Sequence, residues 1–405
     1  MPHDITLIAT MAVGLAFAFI GGFVAARLRL PPILGYLLAG IAVGPFTPGF
    51  VADTGLAGQL AEIGVMLMMF GVGMHFSVRD LLAVRAIAVP GAVVQIAAAT
   101  ALGVGAARLW GWPFGEGIVF GLALSVASTV VLLRALEERG KVASRDGRIA
   151  VGWLLVEDLA MVLALILLPA FAGQLGGSAG AAAASDAGGS LLWVLAITLA
   201  KVAAFIALML IVGTRVLPWL LDRVVMTGSR ELFTLAIVAV AIGVAFGSAE
   251  LFGVSFALGA FFAGMVVNAS DHSERAAHEL QPLQDAFTVL FFVSVGMLFN
   301  PAILIDEPLR VLATLAIVVV GKSLAAFLIV LAFRYPLHTA MRISASLAQI
   351  GEFSFILAAL GVGLGIMSAE AQSLILAGAI MSITINPLMF RVADLAHGRS
   401  RTPGE

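Results

Sequence analysis

The sequence predicts an all-α membrane protein with about 13 transmembrane helices and an internal inverted repeat. Hydrophobic residues make up 61% of the chain, charged residues only 11%, and the mean hydropathy is +1.10. These values lie far outside the range of soluble globular domains. The 405 residues divide into thirteen apolar segments, and short motifs recur at an offset of 223 to 224 residues. Hydropathy therefore predicts the environment, and the repeat predicts the architecture.

The apolar segments, numbered here as spans 1 to 13, are separated by loops rich in Gly, Pro and charged residues. They lie near residues 4–27, 31–48, 55–75, 80–109, 115–137, 147–170, 190–217, 230–249, 251–269, 282–300, 308–334, 338–365 and 369–394. The Gly/Ala/Ser-rich stretch 173–190 is predicted to be a flexible linker after span 6.

The distribution of Lys and Arg predicts the orientation, because positively charged loops stay cytoplasmic. Of the 22 basic residues, eighteen fall in alternate loops or termini on one side. Only Arg108 and Arg310 fall on the other side, and Lys201 and Lys322 lie inside spans. This predicts an N-terminus outside and a C-terminus in the cytoplasm, in a bacterial-type cytoplasmic membrane.

The repeat relates spans 1–6 to spans 8–13. The matching motifs are Leu34-Gly35 with Leu258-Gly259, Ala39-Gly40 with Ala263-Gly264, and Val72-Gly73-Met74 with Val295-Gly296-Met297. Two acids at the predicted starts of spans 3 and 10, Glu62 and Asp285, keep the same offset. Because seven spans separate the partners, the second copy must be inserted upside down. Inverted repeats are typical of secondary transporters, which bind their substrate near the midplane.

Polar residues at repeat-related positions predict that spans 5 and 12 are discontinuous helices that cross. Span 5 contains Ser128 and Thr129, and adding 223 to Thr129 gives Glu352 in span 12, close to Gln349. Unwound backbone at membrane depth is tolerated where it lines a cavity, and half-helix ends can then face an ion.

Span 6 carries two adjacent acids, Glu157 and Asp158, which the other copy lacks. The matching part of span 13, Met381-Ser382-Ile383 followed by Asn386-Pro387, contains no acid. Burying a charge at the centre of a span costs about 2.5–3.5 kcal/mol on insertion scales, so these acids are functional candidates. Adjacent helical residues point about 100° apart, so the two carboxylates are expected to have different partners. We expect Lys322 in span 11 to pair with Glu157, with Asp158 or a helix C-terminus as the alternative.

Several classes of function find no support in the sequence. The chain has no cysteine, its six histidines show no metal-ligand spacing, and no basic run suggests nucleic acid. No arrangement of residues suggests an enzyme, and no cofactor is expected. Two rivals to an exchanger stay open, a gated monovalent cation channel and a sodium-coupled organic-solute symporter.

These features resemble the monovalent cation:proton antiporters of the second cation/proton antiporter group, closest to the Kef-type potassium efflux branch. The resemblance covers essentially the whole chain. The stretches that carry it are 229–234 (SRELFT), 258–265 (LGAFFAGM), 31–36 (PPILGY) and 349–353 (QIGEF).

The resemblance implies a homodimer in membrane lipid that exchanges K⁺ or Na⁺ for protons by alternating access. It implies scaffold and dimer spans near 4–75 and 230–300, core spans near 80–170 and 308–394, and a linker helix near 190–217. Asp158 falls on the family's ion-binding aspartate, which would hold the monovalent cation. Lys322 falls on its span-11 lysine, and Ser128 and Thr129 fall on its unwound stretch in span 5.

The chain departs from the family pattern at two points. Glu157 stands where sodium-type members usually have Asp and typical Kef members have Gln, so the resemblance leaves the preferred ion open. Many relatives continue into a cytoplasmic nucleotide-binding regulatory domain, whereas this sequence ends at Glu405. A regulatory domain or subunit beyond residue 405 is therefore an expectation, and the chain is either a short natural member or a shortened one.

Overall fold

The computed structural model describes residues 6–75, 78–137, 139–141, 144–177 and 191–399. All regular elements within these ranges are helices. The first two residues of predicted span 1 and most of the predicted linker, residues 178–190, lie outside the described residues. The predicted all-α fold is confirmed.

We number the helices α1 to α18 in chain order. They are Thr6–Arg27, Pro32–Val43, Thr54–His75, Val78–Leu109, Phe114–Ser125, Thr129–Glu137, Arg145–Phe171, Leu191–Leu208, Thr214–Val225, Arg230–Phe252, Phe256–Asn268, Ser273–Met297, Ile303–Asp306, Pro308–Ala316, Ser323–Ala332, Leu337–Leu347, Glu352–Gly363 and Ala369–Arg399. Short π-helical turns join α8 to α9 (Met209–Gly213) and α14 to α15 (Ile317–Lys322).

Ten helical stretches of the described chain are long and apolar enough to cross a membrane, and the bent pair of α16 and α17 makes an eleventh. Two further apolar helices, α2 and α11, are only 12 and 13 residues long. A multi-pass membrane protein is therefore confirmed. All thirteen predicted spans coincide with helical stretches, and the number that cross stays a prediction.

The predicted start of span 10 is wrong. Residue 282 is a proline, and α12 begins nine residues earlier, at Ser273, so that Pro282 lies inside the helix. The first turns of α12, which contain Glu274 and Glu279, are polar. Hydropathy therefore assigns them to a loop although they are helical. Glu62 and Asp285 consequently lie within α3 and α12, more than two turns from the start of each helix.

The helices pack in two groups. In the first, α3 packs against α11 and α12, and α2 packs against α1 and α12. In the second, α4 packs against α5 and α7, and α16 and α14 pack against α18. We call α1–α3 with α10–α12 the scaffold group, and α4–α7 with α14–α18 the core group.

Matched close approaches of glycines support the predicted inverted repeat. A Cβ atom on Gly296 would lie 2.2 Å from the Leu37 carbonyl oxygen, and one on Gly73 would lie 2.2 Å from that of Phe261. The repeat offset relates Gly73 to Gly296 and Leu37 to Phe261. Each contact is therefore the counterpart of the other, with the first and second copies of the repeat exchanged. A second matched pair is Gly40 against Val293 and Gly264 against Phe70. Only glycine allows backbones to meet this closely, which fixes how α2 and α11 sit on α12 and α3.

Candidate ion-binding site

Two interrupted helices cross at the centre of the core group, as the polar residues of spans 5 and 12 predict. The interruptions are residues 126–128, between α5 and α6, and residues 348–351, between α16 and α17. The Gly351 amide donates a hydrogen bond to the Val126 carbonyl at 3.1 Å. The two unwound stretches are thus in direct backbone contact.

The side chain of Gln349 holds the crossing together. Its Oε1 accepts a hydrogen bond from the Ser128 amide at 2.9 Å, and its Nε2 donates to the Ser128 carbonyl at 3.0 Å. A Cβ atom on Gly351 would lie 2.6 Å from the Ala127 carbonyl oxygen, so only glycine fits there. One amide side chain therefore binds both backbone groups of Ser128: it satisfies the amide, and it adds a second donor to the carbonyl, which already accepts from the Leu132 amide at 3.1 Å.

Each broken helix exposes half-helix ends, and nearby side chains complement them. Helix C-termini carry partial negative charge and N-termini partial positive charge. At the end of α5, Gln95 Nε2 donates to the Ser125 carbonyl at 2.8 Å, and beyond the end of α16, Lys322 Nζ donates to the Gln349 carbonyl at 2.8 Å. Before α6, Glu157 Oε2 accepts from the Ala127 amide at 2.9 Å.

The expected partner of Lys322 was Glu157, and the structure shows a different contact. Their charges attract each other, but no ion pair of 4.0 Å or less joins them. The lysine instead donates to a carbonyl in the break, two residues beyond the end of α16 and thus close to the helix C-terminus that was one of the alternatives. Both side chains are completely buried, so each charge relies on backbone dipoles as well as on the other.

Asp158 lies beside the crossing with one carboxylate oxygen in use and one free. Thr129 Oγ1 donates to its Oδ2 at 3.1 Å, whereas its Oδ1 has no hydrogen-bond partner. Glu352, the first residue of α17, also keeps an unpartnered oxygen, Oε2. Of the charges around Asp158, Glu352 exerts the largest repulsion, ahead of Glu157. The structure thus brings two buried acids, each 5% exposed, to the same place.

Two other predicted residues, Ser128 and Asn386, hold the backbone around the crossing. Ser128 lies in the break just before α6, and its Oγ accepts from the Val131 amide at 3.2 Å. Asn386 is set further back, where its Nδ2 donates to the Ala345 carbonyl at 2.9 Å. Asn386 therefore holds the end of α16 against α18.

Sequence reasoning missed Gln95, which completes the end of α5 and contacts Trp153 at 3.5 Å. The signal was present, since Gln95 is a single amide inside the apolar span 4.

A charged cluster at the start of α7 was also missed. Asp146 accepts from Thr339 at 2.9 Å and from Arg342 at 2.5 Å. Arg342 also lies 4.0 Å from Asp394, which pairs with Arg139 at 3.2 Å. The sequence placed these charges in separate loops. In the structure they join α7, α16 and α18 on the side where α6 ends.

The donor set suits a hard monovalent cation. Carboxylate, hydroxyl and carbonyl oxygens surround the crossing, and hard cations prefer oxygen ligands. No group of three His, Cys, Asp or Glu side chains that could hold a metal ion occurs within the part of the chain that the structure describes. The site can therefore bind a proton or an alkali cation at Asp158.

Comparison with known proteins agrees with this geometry. Residues 15–393 match the family described as "Sodium/hydrogen exchanger, transmembrane". The chain belongs to that family. The Kef-type resemblance is confirmed as well, because relatives of this exchanger-family chain include proteins named as potassium efflux antiporters.

Two relatives and one solved structure illustrate the likeness. The chain is 59% identical over 403 residues to the "Putative cation/proton antiporter YbaL" of Escherichia coli K12, covering 99% of this chain and 71% of YbaL. It is 33% identical over 391 residues to the "K(+) efflux antiporter 4" of Arabidopsis thaliana, covering 96% of this chain and 64% of the plant protein.

The fold matches the sodium proton antiporter MjNhaP1 from Methanocaldococcus jannaschii at pH 8 with a TM-score of 0.71. The match has 15% identity and covers 96% of this chain and 97% of that one. This exchanger-family chain therefore shares the fold of that antiporter over 96% of its length, and it spans about two thirds of the plant relative.

Proposed function

We propose that this chain exchanges a monovalent cation, K⁺ or Na⁺, for protons by alternating access, with Asp158 as the shared site. The observation that carries the proposal is the unpartnered Oδ1 of Asp158 at the crossing of the broken helices. A buried carboxylate oxygen without a partner is costly, and a proton or a cation would satisfy it. Membership of the exchanger family supports this function.

Competition between the two ions follows from the neighbouring acid. Asp158 and Glu352 repel each other in a site of low dielectric. One of them holds a proton until a cation arrives to neutralise the pair. The hydroxyls of Thr129 and Ser128 and the carbonyls freed by the helix breaks supply further ligands. A cation and a proton thus exclude each other, which couples their movements.

The larger organisation belongs to the same proposal. The scaffold group forms a homodimer in the membrane, the core group carries the site, and α8 with α9 links the halves. The N-terminus lies outside and the C-terminus in the cytoplasm, in a bacterial-type cytoplasmic membrane. Because the relatives are longer than the matched region, the proposal includes a cytoplasmic nucleotide-binding regulatory domain or subunit.

Exchange in proteoliposomes tests the function directly. The wild-type chain is expected to dissipate an imposed pH gradient when K⁺ or Na⁺ is added, and a panel of alkali cations at several pH values reveals the preferred ion. Asp158→Asn is expected to reduce exchange to background while remaining folded. The control is Glu250→Gln, an exposed acid at the far end of α10, which should behave as wild type.

Three results would contradict the proposal. Robust exchange by Asp158→Asn would show that Asp158 is not the shared cation and proton site. Unitary currents in a planar bilayer would indicate a channel, and uptake of labelled organic solutes driven by Na⁺ would indicate a symporter.

A further inference from the structure

Two acids inside the helices play no part in the site described above. Glu62 lies in α3 and Asp285 in α12, at positions related by the repeat offset of 223. Both side chains are exposed, and neither forms an ion pair within the described residues. Ionisable residues within membrane-spanning helices are functional candidates by default, because keeping them there is costly.

Glu62 lines a cavity of about 410 Å³ between the two helix groups. Scaffold helices α3, α11 and α12 form one wall, and α7, α17 and α18 of the core group form the other. Ser255 and Gln372 lie at its edge, and most of the other lining side chains are apolar. Among the described residues that line the cavity, Glu62 alone carries a charge.

Asp285 faces the same boundary from the other helix. It precedes Phe292 by seven residues, close to two helical turns, so the two side chains lie on one stripe of α12. The ring of Phe292 packs edge-on against Phe355 of α17, with centroids 6.3 Å apart. Phe355 belongs to the core group, whereas Gly296, eleven residues after Asp285 on the same stripe, meets Leu37 of scaffold helix α2. The stripe that carries Asp285 therefore runs along the boundary between the two groups.

The two acids serve opposite ends of the molecule because α3 and α12 run antiparallel. A Cβ atom on Gly64 would lie 2.5 Å from the Phe287 carbonyl, and one on Gly71 would lie 2.4 Å from Gln284. Later residues of α3 thus contact earlier residues of α12, which shows that the two helices are antiparallel. The cavity at Glu62 extends toward the start of α3, whereas Asp285 lies toward the start of α12, at the opposite membrane face.

We propose that Glu62 and Asp285 are a repeat-related pair of cation-attracting residues, one in the vestibule on each side of the membrane. Each carboxylate concentrates the transported cation on its own side of the core group before the ion reaches Asp158. A fixed negative charge between low-dielectric walls raises the local cation concentration and the rate of association. The inference rests on the proposed function and adds where the cation enters.

The inverted repeat explains why one acid is needed on each side. Alternating access opens the core group to one membrane face at a time. An acid in α3 can act only when the site faces the start of α3, and an acid in α12 only when it faces the other way. Each acid therefore favours loading of the cation from its own side, whichever direction the exchange takes.

Sided transport assays on the full chain test the proposal. The variants Glu62→Gln and Asp285→Asn are reconstituted in proteoliposomes of measured orientation, and the half-saturating cation concentration is determined separately on each face. Glu62→Gln is expected to raise this concentration roughly threefold to tenfold on the face where α3 begins. Asp285→Asn is expected to do the same on the opposite face only, and maximal turnover should be unchanged in both.

Screening and charge-preserving variants sharpen the test. The defect should shrink as N-methylglucamine salt is added, because the Debye length falls to about 3 Å at 1 M salt. Glu62→Asp and Asp285→Glu should restore the wild-type values, and Glu250→Gln should be neutral on both faces.

The outcomes separate this inference from the proposed function. If the wild-type chain exchanges cations but both neutral variants match it on both faces, the vestibule proposal is overturned. A defect that is equal on the two faces, or that persists unchanged at high salt, also overturns it. Failure of the wild-type chain itself to exchange ions would instead remove the proposed function.

Discussion

At the scale of single residues, the acids near the crossing have separate tasks. Glu157 accepts a hydrogen bond from the backbone before α6, and Asp158 accepts one from Thr129. Glu157, Asp158 and Glu352 each keep one unpartnered oxygen. The sequence singled out Glu157 and Asp158 because they are adjacent, yet Glu352 interacts with Asp158 more strongly. Under the proposed function, a cation bound at Asp158 would also be attracted by Glu352.

Replacing Glu352 with Gln should weaken cation binding. Removing one of two nearby carboxylates lowers the attraction for the cation, and we expect the half-saturating concentration to rise about tenfold or more. Exchange assays over a range of cation concentrations measure this. Glu250→Gln serves as the control, and an unchanged half-saturating concentration in Glu352→Gln would show that Glu352 is not a ligand.

Removing the charge of Lys322 should destabilise the protein more than removing Glu157 and Lys322 together. Lys322→Met leaves the Glu157 charge buried without the attraction of the lysine. Because the two side chains form no direct ion pair, we expect the cost to be below that of breaking a buried pair, which is about 3–5 kcal/mol. The double variant Glu157→Gln with Lys322→Met should recover most of the loss, which thermal unfolding in detergent can measure as a double-mutant cycle. Additive losses would mean that the two charges act independently.

At the scale of elements, the crossing depends on backbone contact between two helix breaks. Gly351 allows this contact, and Gln349 supplies the acceptor that the Ser128 amide would find in an unbroken helix. The charges at the half-helix ends then compensate the dipoles that the breaks expose. The breaks, more than any single side chain, create a polar site at membrane depth.

Gly351→Ala should abolish exchange because its Cβ atom would push the two breaks apart. The nearest atom, the Ala127 carbonyl oxygen, would be 2.6 Å away and belongs to backbone that cannot rotate aside. Gly363→Ala at the end of α17 is the matched control, since nothing lies within 4 Å of the added atom. Wild-type exchange by both variants would show that the close contact is dispensable.

At the scale of the whole molecule, alternating access requires the core group to move against the scaffold group. The contact between Phe292 of α12 and Phe355 of α17 lies on that boundary. Residues such as Asp146 and Arg342 join core helices to one another, which favours movement as one body.

A crosslink across the boundary should stop exchange. The chain contains no cysteine, so Phe292→Cys with Phe355→Cys creates the only thiols. A short bifunctional methanethiosulfonate reagent should block exchange in this variant, and a reductant should restore it. Each single-cysteine variant should keep its activity under the same treatment. Undiminished exchange in the demonstrably crosslinked protein would argue against relative movement at this contact.

Much of the architecture followed from local pattern. Apolar stretches located the helices because each span must be long and apolar to cross a membrane. Polar residues in spans 5 and 12 indicated the breaks because unsatisfied backbone must line a cavity. The predicted start of span 10 is wrong because the turns before Pro282 are helical but polar, so hydropathy does not detect them.

The sequence by itself determined the membrane environment, the broken helices and the acids Glu157 and Asp158 as functional candidates. Only the tertiary structure decided which partner each charge meets. Lys322 reaches the Gln349 carbonyl and Glu352 comes close to Asp158 because separate helices cross there. Hydropathy reports how a segment interacts with the lipid, whereas partner choice depends on distances between segments, which are set by packing such as the contact of Gly351 with Ala127.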